Sequence, residues 1–440
     1  MFKTFVNAMK IKDIRNRLLY TLGALFIVRL GSQLPIPGVN RTYFAEWFKS
    51  QQGDAFSFFD AFTGGSFTSM SIFALGITPY IMASIIIQMF TISVPKLEEM
   101  SREEDGNRKL KEATRYATVI LAFIEAIGLA IGFKNQLVLD NSNPAVLNII
   151  SIVAALTAGS AFVMWLGEQI TEKGIGNGSS IILVINIASR IPSDMSSLYQ
   201  TFVKSANNVG KAILAAVIII GVIVLTITLT VLLNAAIRKI PVHYNGRSNN
   251  SRIGNFGVNN IPLKINTSGV MPVIFASSLM QFPVVLCGLF GVQTGNGVGS
   301  HILKGLQSNY WFSKDQPYYT LGLLLYILLV IFFAYFYTSI TFNPVLVADN
   351  LKKRGGFIPG VRPGKPTTEY LERILNYIIF IGAVGLFIVC VIPIFFSGIF
   401  GASVTFGGTS LIIIVSVVID SIQQVETMMV ERNYKGFLKA

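Results

Sequence analysis

Residues 212–237 form a run of 26 without one charged side chain, and residues 61–95 a run of 35. A helix rises about 1.5 Å per residue, so about 20 apolar residues bridge a hydrocarbon core about 30 Å thick. A strand is far shorter than either run, and a globular surface would leave them unhydrated. Apolar residues make up 52% of the 440 and charged residues 13%, about half the charge of an ordinary globular domain. A soluble enzyme, a disordered chain and a disulfide scaffold are thereby excluded, and the chain reads as a multi-spanning membrane protein. Cys287 and Cys390 both lie in apolar stretches and read as small buried hydrophobes, not as a redox pair or metal site.

Ten apolar windows reach spanning length: 18–34, 71–94, 116–133, 145–166, 175–191, 212–237, 269–292, 319–342, 375–396 and 409–429. Connections between ten spans alternate sides, so the positive charges test the count. Of the 35 Lys and Arg, 26 fall on the side that holds both termini and eight on the other, with Arg29 inside the first window. Positive loops stay in the cytoplasm, so both termini are expected inside. Phe2, Phe5, Val6 and Met9 recur at helical spacing among Lys3, Lys10 and Lys12, as in a basic interfacial helix or a charged tail that sets orientation. The first window ends at Pro35-Ile36-Pro37-Gly38 with no small-x-small cleavage pattern.

Catalytic motifs are missing from the sequence. Its two histidines, His243 and His301, fall in loops on opposite sides, and there is no H-E-x-x-H, C-x-x-C or phosphate loop. Gly174-Ile175-Gly176-Asn177-Gly178 is glycine-rich, yet no strand precedes it and no Lys-Ser/Thr follows, so it reads as a flexible entry to the fifth span. Enzymatic chemistry, a cofactor, a metal and direct DNA binding are not expected. Arg29, Glu125 and Asp420 are the charges inside windows. Each costs at least ~2.5 kcal/mol in hydrocarbon, so each must face protein or water. Arg29 and Asp420 lie near enough to span ends to snorkel or pair there. Glu125 is mid-window, with Gln88 and Asn266 as candidate polar neighbours.

Two regions do not fit simple spans. The long uncharged run after Asp60 begins with Ala61-Phe62-Thr63-Gly64-Gly65-Ser66-Phe67, preceded by Phe56, Phe58 and Phe59. An aromatic half-helix broken at Gly64-Gly65 cannot span. It reads either as a re-entrant element inside a cavity or as a loop lying flat on the outer leaflet. Residues 238–264 carry five basic side chains and no acidic one, Arg247 and Arg252 among them; residues 349–373 hold Lys352-Lys353-Arg354 and Gly360-Val361-Arg362-Pro363-Gly364. Both connections exceed the usual length and offer positive charge to anionic partners.

Five strings carry a further signal: Ala74-Leu75-Gly76-Ile77-Thr78-Pro79-Tyr80-Ile81; Trp165-Leu166-Gly167-Glu168-Gln169-Ile170-Thr171-Glu172-Lys173 running on into the glycine-rich 174–178; Ala348-Asp349-Asn350-Leu351-Lys352-Lys353; Pro359-Gly360-Val361-Arg362-Pro363-Gly364; and Phe406-Gly407-Gly408-Thr409-Ser410. In this order they resemble the bacterial SecY family, whose members form the central subunit of a protein-conducting channel. The resemblance runs from the first span to the C-terminus.

It implies an all-α membrane protein of ten transmembrane helices, in two inverted halves (1–192 and 193–440) around an hourglass pore in the bacterial cytoplasmic membrane. The segment at about 55–67, with Phe56, Phe58, Phe59, Phe62, Gly64 and Gly65, resembles the family's plug. Ile77, Ile81, Leu183, Ile274 and Ile413 fall where the family places its apolar pore ring. Gln88, Glu125 and Asn266 match its lateral-gate cluster, with Glu125 where an uncharged amide is expected. Arg362 matches the residue that engages the cytoplasmic motor or ribosome, and Arg247, Arg252, Lys352, Lys353 and Arg354 share its two loops, at about 238–268 and 343–374. The implied partners are the small SecE and SecG subunits, the SecA motor ATPase, the ribosome, signal sequences, unfolded secretory chains and lipid. Branched aliphatic side chains suit such a ring: they offer no fixed hydrogen bond to a passing chain and make an empty constriction costly for hydrated ions. Pro79 and Pro272 are expected to loosen the helices beside it. The alternative reading is an inverted-repeat secondary transporter of a small solute.

Overall fold

Uncharged runs can satisfy their backbone inside lipid only as helix, and a helix lies on every one of the ten windows. In the computed structural model, residues 9–37, 39–50, 60, 62–132, 145–204, 209–244, 259–289, 298–307, 310–311, 317–400 and 409–437 are described. The window helices, with the short helices between them, are α1 (Lys12–Gly31), α2 (Arg41–Ser50), α3 (Thr78–Ser93), α4 (Pro95–Arg102), α5 (Glu104–Gly132), α6 (Ala145–Lys173), α7 (Gly178–Leu198), α8 (Val209–Ala235), α9 (Met271–Leu289), α10 (Val298–Gly305), α11 (Thr320–Thr341), α12 (Pro344–Lys353), α13 (Lys365–Phe400) and α14 (Thr409–Phe437). Among the described residues, six of these helices are long and apolar enough to cross a membrane, and α3 with α4, bent by 109°, would make a seventh. The bend has a local cause. Val94 precedes Pro95 and is extended, at φ −111° and ψ 110°, as the proline ring requires of its neighbour. The protein is thus multi-pass. On α8, Ile213, Val217, Ile220 and Val224 point outward as a lipid-facing stripe.

The second window departs from expectation. Residues 71–77 are a series of turns, and α3 starts only at Thr78. That stretch finds its backbone partners elsewhere: the Ile36 N–H donates to Met70 O at 3.0 Å and the Ile72 N–H to Leu34 O at 3.0 Å, around a bridge between Pro35 and Ser71. Irregular backbone at this depth is tolerated because protein surrounds it. On its far side Gly159 of α6 comes so close that a Cβ there would sit 2.0 Å from Ile72 O. Pro79 also differs from its expected part. It occupies the first turn of α3, and Pro272 is the second residue of α9, positions where a missing N–H costs nothing.

A small sheet joins the helices. Three strands, β1 (Ile237–Tyr244), β2 (Asn259–Lys264) and β3 (Gly356–Phe357), form an antiparallel sheet in the order β2-β1-β3. Its register pairs Ile240 with Ile261 and His243 with Phe357. Ile240, Val242 and Leu263 face inward onto Leu351 of α12 and Leu371 and Ile374 of α13. The two basic connections expected to be separate loops are therefore one structure. Its alternating Ile240-x-Val242 and Ile261-x-Leu263 is the period of a half-buried strand.

Candidate functional site

At the bundle centre lies a large apolar cluster. Ile77 caps α3 and Ile81 follows one turn on, Leu183 comes from α7, and Ile274 and Ile413 lie in the opening turns of α9 and α14. All five are at most 6% exposed and belong to this one cluster, which Phe62 joins. Phe56, Phe58 and Phe59 lie outside the described residues.

Gly64 and Gly65 follow helical Phe62 and Thr63 with φ of +68° and +84°. The Gly65 N–H reaches back to Asp60 O at 3.0 Å, the left-handed closure that glycine makes easily. Around this end, side chains from two other helices supply donors. Asn186 Nδ2 donates to Phe62 O at 3.1 Å and Arg29 Nη1 to Gly64 O at 3.3 Å, while Ser189 Oγ, whose proton goes to Asn186 O at 2.6 Å, lies 3.4 Å from Gly64 O. Arg190 forms an ion pair with Asp60, whose other carboxylate oxygen accepts the Thr68 N–H at 2.8 Å. None of these α7 residues was marked by the sequence reading. Among the described residues Arg29 pairs with no carboxylate; its guanidinium donates to the Gly64 carbonyl.

The three expected gate residues are not joined by hydrogen bonds. Gln88 Nε2 donates to Ser84 Oγ at 3.0 Å on its own helix, while Gln88 Oε1 and Glu125 Oε2 are buried without partners. Asn266 looks the other way: its Nδ2 donates to Asn234 Oδ1 at 2.8 Å, and Asn234 Nδ2 donates to Ser416 Oγ at 2.8 Å. This chain links α9's entry to α8 and α14. Nearby, Lys264 pairs with Asp420 at 3.5 Å and donates to Gln423 Oε1 at 2.5 Å, so Asp420 does pair near its span end. Lys264, Asp420 and Asn266 edge a cavity of about 270 Å³, lined also by Asn177, Ser180 and Gln424 and by apolar Val270, Met271 and Val417. The glycine-rich 174–178 run helps close it, with the Gly176 N–H donating to Gln424 Oε1.

On the sheet side, Lys352, Lys353 and Arg354 are exposed at the end of α12. Arg362 is exposed in a turn between Gly360 and Gly364, whose φ values are +82° and +104°, and its carbonyl accepts from Thr367 Oγ1 at 2.8 Å. Arg247 and Arg252 lie outside the described residues. Among the described residues no group of three or more His, Cys, Asp or Glu is placed to hold a metal.

Known proteins share this architecture. The family profile described as SecY matches residues 71–422. A protein translocase subunit SecY of Halalkalibacterium halodurans is 41% identical over 446 aligned residues that cover 100% of both chains. A solved structure described as the plug domain of SecY stabilising the closed translocation channel superposes with a TM-score of 0.67 at 17% identity, covering 94% of this chain and 92% of the other. Sec61 in the canine ribosome–channel complex superposes with a TM-score of 0.63 at 15% identity, covering 94% and 92%. With a family profile over most of its length and a full-length relative at that identity, the chain belongs to the SecY family.

Proposed function

We propose that the chain is the pore subunit of a protein translocase, a conduit and not an enzyme, in the bacterial cytoplasmic membrane with both termini inside. It passes unfolded secretory chains across the membrane and releases apolar segments sideways into lipid. In this reading the ten helices form two halves, 1–192 and 193–440. Ile77, Ile81, Leu183, Ile274 and Ile413 make the constriction, and the segment at 55–67 plugs it from outside. A signal sequence enters between α3 and α9, beside Gln88, Glu125 and Asn266. SecE and SecG brace the chain, and SecA or a ribosome docks on the basic loops at Arg247, Arg252, Lys352, Lys353, Arg354 and Arg362. The observation that carries the reading is the shared burial of those five aliphatic side chains, drawn from four helices, against Phe62. A small-solute transporter is not favoured, since the full-length relatives are named translocase subunits.

The test is reconstitution of the full chain with its small subunits and the motor in liposomes. A stalled secretory precursor should crosslink to a cysteine at Ile81 or Ile274; no crosslink at either would remove the ring. Arg362→Glu should abolish ATP-driven translocation, and unimpaired transport would remove the docking assignment. Deleting 55–67 should raise resting ion conductance.

A further inference from the structure

The last carbonyls of a helical turn are orphan acceptors unless something caps them, and the turn that closes at Gly64-Gly65 ends in such carbonyls. Those carbonyls are met by side chains from elsewhere. Asn186, Ser189 and Arg190 lie at i, i+3 and i+4 on α7, hence on one face, and all three turn toward the segment. Arg29 of α1 also donates to the Gly64 carbonyl. Asp60 is 1% exposed, so its carboxylate is tied both to Arg190 and to its own segment through Thr68. The packing is equally close: a Cβ at Gly64 would lie 2.8 Å from Arg29 Nη1 and 2.9 Å from Asn186 Cα.

We propose that Arg29, Asn186 and Arg190 form a latch that holds the re-entrant segment in its seat, a second lock distinct from the seam between α3 and α9. This rests on the plug reading above. The polar partners named here come from α1 and α7, whereas Phe62 meets Ile274 of α9 and Ile413 of α14 only as part of the apolar cluster. Parting α3 from α9 therefore leaves the latch bonds unbroken, and the segment leaves only when Asp60 gives up Arg190.

These are positioning residues, and the test reads position. The full chain with its partner subunits is reconstituted in liposomes, and resting ion conductance is measured without substrate. Arg190→Gln leaves a buried carboxylate unpaired, and conductance should rise about tenfold or more. Asp60→Asn/Arg190→Gln removes that unpaired charge and should leak several-fold less than Arg190→Gln alone; Arg190→Lys keeps the charge and should stay near the parent value. Binding of a signal peptide, which reads the α3–α9 seam, should change little in all three. A thermal melt of each purified variant separates a lost latch from a lost fold. Parent-like conductance in Arg190→Gln, while deletion of 55–67 does leak, overturns the latch and leaves the plug standing. Parent-like conductance in both overturns the plug itself.

Discussion

Two seams of this molecule are built on opposite plans. Where the 60–64 segment meets α1 and α7, side-chain donors reach its exposed carbonyls and a buried ion pair closes the far end. Where α3 and α5 lie against α9, Gln88 Oε1 and Glu125 Oε2 are buried with nothing to accept from. Each such orphan costs about 1–3 kcal/mol. Asn266 does not relieve them, because its hydrogen bonds run to Asn234 and through it to Ser416. The first seam is fastened by polar bonds and loses them when it opens. In the gate reading proposed above, the second lacks such bonds, and its orphan groups would gain water or a polypeptide partner when it parts. A seam meant to open often is better made the second way.

The contrast can be attacked from either side. The largest effect is expected from Gly64→Val, which puts a β-branched side chain at φ +68° and into Asn186 and Arg29. At a cost of about 3 kcal/mol, it should unseat the segment, raise resting conductance and lower the melting temperature by several degrees. Parent-like values for both would show that the segment is not seated on α7. Next is the opposite change at the other seam. Gln88→Leu/Glu125→Leu removes both orphans at similar volume and should stabilise the closed arrangement by about 2–4 kcal/mol in total. Signal-peptide-triggered opening should slow by about tenfold or more, and faster opening would mean that these groups are not a cost at rest.

Smaller effects probe the polar chain beside that seam. Asn266→Ala strands Asn234 and should cost about 1–2 kcal/mol in a thermal melt. Asn234→Leu/Asn266→Leu should cost less than the two single changes added together, because neither partner is left behind; simple additivity would deny the bond. Smallest is Lys264→Ala. Its pair with Asp420 is 42% and 54% exposed, so stability should change by about 0.5 kcal/mol or less. A larger drop would place that pair inside a dry contact.

The helices were legible because the property that defines a span, a long uncharged stretch, is written in consecutive residues. The break at Gly64-Gly65 was legible for the same reason, since a glycine pair marks its own turn. Lys264–Asp420 was half legible: a charge near a span end needs a partner, though not which one. The latch was not readable, because Asp60 and Arg190 lie 130 positions apart and Asn186 looks like any polar residue in an apolar helix. Nor was the Asn234–Asn266–Ser416 chain, where three ordinary residues on three helices matter only once packed. The sheet was missed for a different reason. Its alternation at Ile240, Val242, Ile261 and Leu263 was present in the sequence, but the basic residues around it drew the reading toward loop.

Because β1 follows α8, β2 leads into α9, and β3 precedes α13, that sheet is a rigid handle with three helices as its shafts. The Ile265 N–H closes the base of the handle on Ala236 O at 2.9 Å. A pull on one turn of that sheet is therefore carried to all three shafts together.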